Sequence, residues 1–147
     1  SVTEIAVGSG FYSPHLFDYY NEFRYLPAAG FALEVSRVPG KGYVTCSGGG
    51  YIASGGVGEE KAPKPFLPQG LELDENEGAG EVQTPLKMTC SIKNRFKAFQ
   101  LSPGDPVFFR HCKAGELCER FNELLLIRNG VIEGSCATYR GQGKSFI

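Results

Sequence analysis

The sequence predicts a mainly β fold, an antiparallel barrel or sandwich that is preceded by one strand and one helix. Glycine and proline are abundant, with 20 and 9 among 147 residues, which favours many turns and few long helices. Apolar residues alternate over short runs, as at Phe31, Leu33 and Val35, which is the pattern of a strand with one buried face. Turn-forming pairs such as Asn129-Gly130 separate these runs, which is typical of hairpins.

The first two elements are predicted near the start of the sequence. Residues 2–7 have the composition of a strand and end at Gly8-Ser9-Gly10. Ser13 can cap a following helix and Pro14 suits its first position, so we expect a helix over residues 13–24. A strand that enters a glycine–serine turn ahead of a helix can hold a phosphate through backbone N–H groups, with a plain turn as the default alternative.

The strands of the β domain are predicted from residue 31 onward. We expect a hairpin over residues 31–47 about a Pro-Gly-Lys-Gly turn, two short strands within residues 71–78 and 80–86, a turn and a strand over residues 102–111, and a hairpin over residues 123–139.

The intervening stretches are predicted to be irregular. Three consecutive glycines at residues 48–50 are costly in an ordinary strand and therefore indicate a bulge or a close backbone approach. Residues 56–70 form a proline-rich connection, and residues 88–101 show mixed periodicity. Residues 116–122 are compatible with one helical turn or with a loop.

Composition and charge exclude several classes of protein. The formal net charge is −1, so no electrostatic argument favours nucleic acid or an anionic membrane surface. No apolar run approaches the ~20 residues that span a bilayer, and Glu4 interrupts the first apolar segment, so we expect no signal peptide. The 5 cysteines are odd in number and irregularly spaced, which predicts reduced thiols in a cytoplasmic protein.

Carboxylates are concentrated in the stretch "DENEGAGEVQTPL", where acids beside glycines usually form a solvated turn. If residues 81–84 are a strand, Glu81 and Gln83 share one face, and Val82 and Thr84 share the other. If Val82 then faces the core, Glu81 faces polar surroundings, where a carboxylate could do acid–base work.

The densest cluster of polar functional groups is in "FFRHCKAGELCERFNE", which follows a strongly apolar strand. His111 with Cys112 or Cys118 could ligate a metal, but the spacing fits no standard zinc motif and the chain has no CxxC pair. An ion-pair network among the charged residues of this stretch would need no metal. The residues alone leave both interpretations open.

Three stretches, "EGAGEVQTPL", "GDPVFFRHCKAGELCERFNE" and "CATYRGQGKSF", resemble the C-terminal domain of the D-serine dehydratase/D-threonine aldolase-like proteins. More narrowly, "EVQTPL" and "RHxKAGELCERF" resemble the branch named amino acid deaminase/aldolase, and the resemblance extends over essentially the whole chain. The family has the fold-type III, alanine-racemase-like architecture. The resemblance therefore implies a (β/α)8 barrel that carries pyridoxal 5′-phosphate (PLP) on a lysine, followed by a β domain.

This resemblance implies a division of the chain and a cofactor site. Residues 1–26 would be the last strand and helix of the barrel, and residues 27–147 would be the D-serine dehydratase-like β domain. Gly8-Ser9-Gly10 would meet the phosphate of PLP, and Phe11 or Tyr12 would lie near its ring. The Schiff-base lysine belongs to the first strand of the barrel, so we expect this chain alone to be inactive. The β domain would close the active site, within a homodimer as in relatives.

One departure from the family concerns a metal. Metal-dependent members carry a His-x-Cys or His-x-Asp pair, whose metal polarises the β-hydroxyl of the substrate. The matching triplet is His111-Cys112-Lys113, and residues 80–83 replace an acidic–His motif; a protonated lysine cannot coordinate a metal. We hypothesise that Lys113 places a fixed positive charge where relatives hold a metal. It would bind a substrate carboxylate or assist a leaving hydroxyl, with Glu81 or Glu116 as counter-ion.

The sequence thus predicts part of a PLP-dependent lyase that acts on D-amino acids or β-hydroxy amino acids. The reaction types, in order, are elimination or deamination, retro-aldol cleavage and racemisation. The predicted catalytic residues are His111, Lys113, Glu81 and Glu116, and the predicted cofactor residues are Gly8, Ser9, Gly10 and Tyr12. No metal is predicted, with His111 as the only candidate ligand. The alternatives are a non-catalytic β module that binds a partner or a small molecule, and a metal-binding domain that uses His111.

Overall fold

Antiparallel strands are the main regular elements of the computed structural model, which describes residues 1–40, 42–56, 58–89 and 101–138. The strands are β1 (Phe31–Gly40), β2 (Tyr43–Ser47), β3 (Lys64–Leu67), β4 (Leu71–Leu73), β5 (Gln83–Met88), β6 (Pro106–Arg110), β7 (Glu123–Arg128) and β8 (Val131–Ala137). An α-helix, α1, spans Ala114–Arg120, and 3₁₀ helices span Gly8–Tyr12, His15–Tyr19 and Glu59–Lys61. No helix among these residues is both long and apolar enough to cross a membrane.

The first six strands form one sheet in the order β3-β6-β1-β2-β5-β4, and every neighbouring pair is antiparallel. The long strand β1 is shared between two partners, because its first half pairs with β6 and its second half pairs with β2. The two edge strands, β3 and β4, follow each other in the chain and lie side by side. The sheet therefore curls into a nearly closed barrel, which confirms the predicted fold class.

The barrel interior holds the hydrophobic core. Phe31, Leu33 and Val35 of β1 point inward, as their alternation predicts, while the residues between them are exposed. Phe31 stacks on Phe109 of β6 with ring centroids 5.4 Å apart and an interplanar angle of 5°. Leu86 of β5 is fully buried in the same cluster. Burial of each such side chain contributes roughly 2 kcal/mol to the stability of the fold. The alternation of apolar residues therefore determines which face of each strand points inward.

The three consecutive glycines mark a close backbone approach, as predicted. A Cβ on Gly49 would lie 2.6 Å from Leu33 Cδ1 and still closer to Thr84 Oγ1. A Cβ on Gly50 would lie 2.9 Å from the backbone nitrogen of Glu81. The Thr84 hydroxyl donates a hydrogen bond of 2.6 Å to the Gly48 carbonyl and so joins this corner to β5. The glycine run lets the chain pass tightly over the end of the barrel.

The last two strands, β7 and β8, form a separate hairpin about Asn129-Gly130, which confirms the predicted hairpin. Both turn residues have positive φ, 51° and 78°, as a two-residue type I′ turn requires. The helix α1 lies just before this hairpin. The sequence was compatible with either one helical turn or a loop at residues 116–122. The hairpin exposes several aliphatic side chains on both faces, including Leu126, Ile127 and Ile132.

The two N-terminal elements take a different form from the predicted one. Residues 2–7 form no strand; Val2 and Ile5 are exposed, and no strand of the described chain pairs with them. An isolated strand leaves its backbone groups to water and gains nothing over other extended conformations. The predicted helix over residues 13–24 is replaced by one short 3₁₀ helix, His15–Tyr19, because Ser13 is left-handed (φ 48°) and Tyr20 is extended (ψ 138°).

The proline-rich connection over residues 56–70 was predicted to be irregular but contains strand β3. Pro65 is tolerated there because β3 is an edge strand, where one side of the strand needs no N–H donor. Most of residues 88–101 and the "RGQGKSF" part of the family resemblance lie outside the described residues.

Candidate functional site

The candidate site is built on the connection from β6 to α1. Strand β6 ends at Arg110, and His111, Cys112 and Lys113 follow before the helix begins at Ala114. His111 and Cys112 are fully buried, whereas Lys113 is half-buried and extended (φ −130°, ψ 147°) at the N-cap of α1. The apolar strand therefore carries a buried imidazole and a partly exposed ammonium group to the end of the barrel.

Glu116 fixes the start of α1. Its carboxylate accepts hydrogen bonds of 3.0 Å from the backbone N–H groups of Cys112 and Lys113. Glu116 is itself buried, and burial raises the pKa of its carboxyl group. The two N–H bonds and the nearby charges of Lys113 and Arg120 act in the opposite direction. Glu116 is thus a buried acid that is held rigidly by the backbone beside two cations.

The side chain of Lys113 crosses to the loop that follows the glycine run. Its Nζ donates a hydrogen bond of 2.6 Å to the carbonyl oxygen of Ser54. Between this loop and α1 lies a cleft of about 290 Å³, whose charged lining is Lys113, Glu116, Glu119 and Arg120. Lys113 and Glu116 are therefore the two predicted catalytic residues that the structure brings together.

His111 faces a different environment from Lys113. Its ring meets the ring of Tyr12 edge to face, with centroids 6.4 Å apart. Burial lowers the pKa of His111 to about 4, with smaller contributions from the charges of His15 and Arg110. The Ala29 backbone opposes this shift, yet neither ring nitrogen makes a hydrogen bond of normal geometry with the described residues. His111 is therefore a neutral, buried imidazole beneath Tyr12.

His15 is a site residue that the sequence did not indicate. It is fully buried, and its Nε2 lies 2.8 Å from the Ala62 carbonyl oxygen, so Nε2 carries the proton. Its backbone N–H donates a hydrogen bond of 3.0 Å to the carbonyl oxygen of His111. Burial lowers the pKa of His15 as well. Because 96 positions separate the two histidines, no local motif could have paired them.

An ion pair supports the same contact between the N-terminal segment and β6. The Arg110 guanidinium donates to both carboxylate oxygens of Asp18, at 2.8 and 3.0 Å. It also reaches the carbonyl oxygen of Ser13 at 3.4 Å. This two-point pairing has the geometry in which arginine–carboxylate pairs are strongest. Together with the hydrogen bond from the His15 N–H to the His111 carbonyl oxygen, this ion pair holds residues 13–18 against the barrel.

The predicted phosphate turn lies in the 3₁₀ helix Gly8–Tyr12, largely at the surface. No atom lies within 4 Å of the position where a Cβ on Gly8 would stand, and Ser9 is exposed. The N–H of Gly10, in contrast, already bonds to the Val7 carbonyl at 3.3 Å. The turn is therefore exposed at Gly8 and Ser9, and its role as a phosphate site stays a prediction.

Glu81 lies apart from the other predicted catalytic residues. It is exposed in the loop before β5, where its backbone packs against the glycine run. Val82 is 85% exposed, so it does not face the core, and the proposed alternation fails because β5 begins only at Gln83. Among the described residues, no hydrogen bond or ion pair joins the Glu81 carboxylate to Lys113.

The described residues contain no group of three or more His, Cys, Asp or Glu side chains that could hold a metal ion. Around His111 the charged neighbour is Arg110, whose guanidinium would repel a cation. The donor set on this face therefore does not fit a divalent metal.

Comparison with known proteins gives a likeness in fold. No protein-family model matches the chain, and no curated protein matches it. The crystal structure of D-threonine aldolase from Filomicrobium marinum is similar, with a TM-score of 0.60 and 14% sequence identity. The match covers 81% of this chain but 30% of the aldolase chain. At this identity the comparison establishes a shared β-domain fold, and the chain spans about a third of the aldolase's length.

Proposed function

We propose that this chain is the β domain of a PLP-dependent enzyme that acts on D-amino acids or β-hydroxy amino acids. The observation that carries the proposal is the likeness in fold to a D-threonine aldolase over 81% of the chain. This likeness agrees with a resemblance that motifs such as "EVQTPL" carry without reference to any structure. In this proposal the domain completes an active site whose other side is a (β/α)8 barrel.

The residues near the start of the chain would hold the cofactor. Gly8 and Ser9 would donate to the phosphate of PLP, and Tyr12 would lie beside its ring. When bound, PLP would supply the electron-withdrawing system that activates the bonds at the substrate's α-carbon. His111 would act as a positioning residue, because its buried ring packs edge to face against Tyr12.

Lys113 would supply a fixed positive charge to the substrate. Its ammonium group is anchored by the Ser54 carbonyl, which leaves two of its three N–H donors for a ligand. It would bind a carboxylate or assist the departure of a β-hydroxyl group, with Glu116 as the nearby counter-charge. Elimination of a β-hydroxyl fits this arrangement best, followed by retro-aldol cleavage and then racemisation.

The first test concerns the gene and the activity of the full-length product. We expect the reading frame to extend upstream by roughly 250 residues, the length of a typical (β/α)8 barrel. The full-length enzyme should release ammonia, keto acid or aldehyde from D-serine or D-threonine, and the release should require PLP. A frame without room for a barrel, or no PLP-dependent product from any D- or L-amino acid tested, would contradict the proposal.

Two further measurements assign the role of Lys113. Lys113→Gln should lower kcat/KM by about 100-fold, a typical loss when one electrostatic donor is removed. Lys87→Gln, which removes an exposed charge from β5, is the matched control and should keep full activity. Elemental analysis of the same preparations should show no stoichiometric metal. Zinc or manganese bound through His111 would contradict the role of Lys113 as the positive charge that replaces a metal.

A further inference from the structure

The cleft beside α1 carries both signs of charge on its walls. Its volume is about 290 Å³, near the lower end of the range for small-molecule sites. Residues 52–54 form one side, and residues from Lys113 to Arg120 form the other. A cleft with fixed positive and negative groups at close range is complementary to a small zwitterion rather than to a simple anion.

The positive side consists of Lys113 and Arg120. Lys113 is fixed by its hydrogen bond to Ser54, so its remaining donors have a defined direction. The Arg120 guanidinium lies over the ring of Tyr51, 5.8 Å from the centroid, a contact that orients its plane. Both cations line the same cleft as Glu116.

The acidic residues that line the cleft are Glu119 and Glu116, and the position of the Glu116 carboxylate is fixed by hydrogen bonds. Its two oxygens already accept from the N–H groups of Cys112 and Lys113, and each keeps a further lone pair. The N–H groups of Cys112 and Lys113 are therefore already paired within the protein. Glu116 lines the cleft, and these two hydrogen bonds hold its carboxylate in place.

Gly115 leaves space in the cleft at a cost to the helix. It lines the cleft, and no atom lies within 4 Å of the position where its Cβ would stand. Gly115 is the second residue of α1, where glycine favours the helix less than alanine does, and its φ is not in the left-handed range that favours glycine. A glycine at this position is explained if the methyl group of an alanine would fill space that a ligand needs.

We propose that this cleft binds the charged groups of an α-amino acid, with Lys113 and Arg120 on the carboxylate and Glu116 towards the ammonium. Gly115 then sets the space available beside the α-carbon. This inference rests on the proposed function, because it names how the same domain would recognise its substrate. It adds Arg120 and Gly115 as binding and specificity residues.

The binding test uses the 147-residue chain and ¹H–¹⁵N NMR titration with D-serine. We expect the amide signals of Ser54, Lys113 and Gly115 to shift, with a dissociation constant in the millimolar range. Acetate, ethanolamine and inorganic phosphate are the comparison probes, and each should bind at least about fivefold more weakly because it lacks one of the two charges. Acetate binding as tight as D-serine, or no shift at these amides, overturns the inference.

Variants separate recognition from folding. Arg120→Gln should weaken D-serine binding by roughly fivefold to tenfold, while Lys87→Gln, the matched control, leaves it unchanged. Gly115→Ala should raise the thermal midpoint, because alanine favours helix, and yet weaken D-serine binding by about fivefold or more. A stabilised Gly115→Ala variant that binds D-serine as well as the parent chain contradicts the role of Gly115.

The inference and the proposed function fail in different experiments. D-serine binding in this cleft can be measured without PLP, so its absence removes the inference while a PLP-dependent activity of the full-length enzyme would still stand. Conversely, the cleft could bind D-serine while the full-length product shows no PLP-dependent activity. That result would overturn the proposed function and leave the inference standing.

Discussion

At the scale of single residues, Gly49 is the most constrained position of the barrel corner. Its φ is 111°, and a Cβ there would meet Leu33 Cδ1 at 2.6 Å and Thr84 Oγ1 more closely. Both neighbours are buried in the core and have little room to move. The position therefore needs glycine for two separate reasons, backbone conformation and lack of space.

Gly49→Ala should reduce the free energy of unfolding by about 2–4 kcal/mol, since strain at positive φ and overpacking add. Urea denaturation followed by circular dichroism measures this change. Gly56→Ala is the control, because that glycine has no positive φ and no atom within 4 Å of its Cβ position. Equal effects of the two substitutions would show that the corner tolerates a side chain.

At the scale of elements, the hairpin of β7 and β8 depends on its turn. It belongs to a separate two-stranded sheet, and such a sheet is marginally stable without other contacts. Leu124 and Phe121 pack against the barrel core and anchor its base. The far end relies on Asn129-Gly130, where the backbone must adopt two successive positive φ values.

Gly130→Ala should destabilise the hairpin locally by about 1 kcal/mol, because φ of 78° is unfavourable for a residue with a Cβ. Hydrogen exchange of the amides in β7 and β8 should quicken by roughly fivefold, while exchange in β1 and β6 stays the same. Gly134→Ala in the same hairpin, where φ is not positive and the surrounding space is open, is the matched control. Uniform acceleration across all strands would contradict a local role for the turn.

The same scale shows which elements the sequence could predict. Strands β1 and β6 were predictable because their side chains alternate between core and solvent. Strand β2, whose three central residues are all buried, was predictable from the turn that joins it to β1. Strand β3 was missed because its prolines mimic a loop, and only its place at the sheet edge makes them acceptable. Residues 2–7 have strand composition but find no partner among the described strands, and pairing is a non-local property.

Within the candidate site, Lys113 and Glu116 could be predicted to meet because they are three residues apart at a helix start. Arg120 and Ser54 were missed: the cleft depends on the path of the glycine loop, which no local pattern specifies. Glu81 was predicted from an alternation that needed the strand to begin two residues before Gln83, the first residue of β5. Contacts between residues close in sequence could therefore be predicted, and contacts between distant segments of the barrel could not.

At the scale of the whole molecule, the N-terminal segment is attached to the barrel through buried histidines. His15 and His111 are the only histidines of the chain, and both are fully buried in their neutral forms at neutral pH. Arg110 and Lys64 place positive charge near His15, and among the described residues the acid near it is Asp18. A proton added to either imidazole would therefore be placed in a buried, largely positive environment.

Stability should consequently fall on acidification. In the unfolded chain a histidine takes up its proton near its ordinary pKa of 6.5, whereas His111 in the folded protein does so only near 4. The stabilising contribution is complete above about pH 6.5 and is lost as the pH falls through this window, by about 3 kcal/mol for His111 at its limit. The lowered pKa of His15 adds to this loss in the same direction.

The measurement is the free energy of unfolding by urea at about pH 7 and about pH 4.5 for the parent chain and for His111→Gln, which cannot take up a proton. The variant should lose less stability between the two pH values, by roughly 2 kcal/mol, whatever its packing cost at neutral pH. Glu116, whose pKa is raised, titrates in the opposite sense in both proteins, so the difference between them isolates the histidine. Parallel losses in the two proteins would mean that His111 is not held neutral in the folded protein.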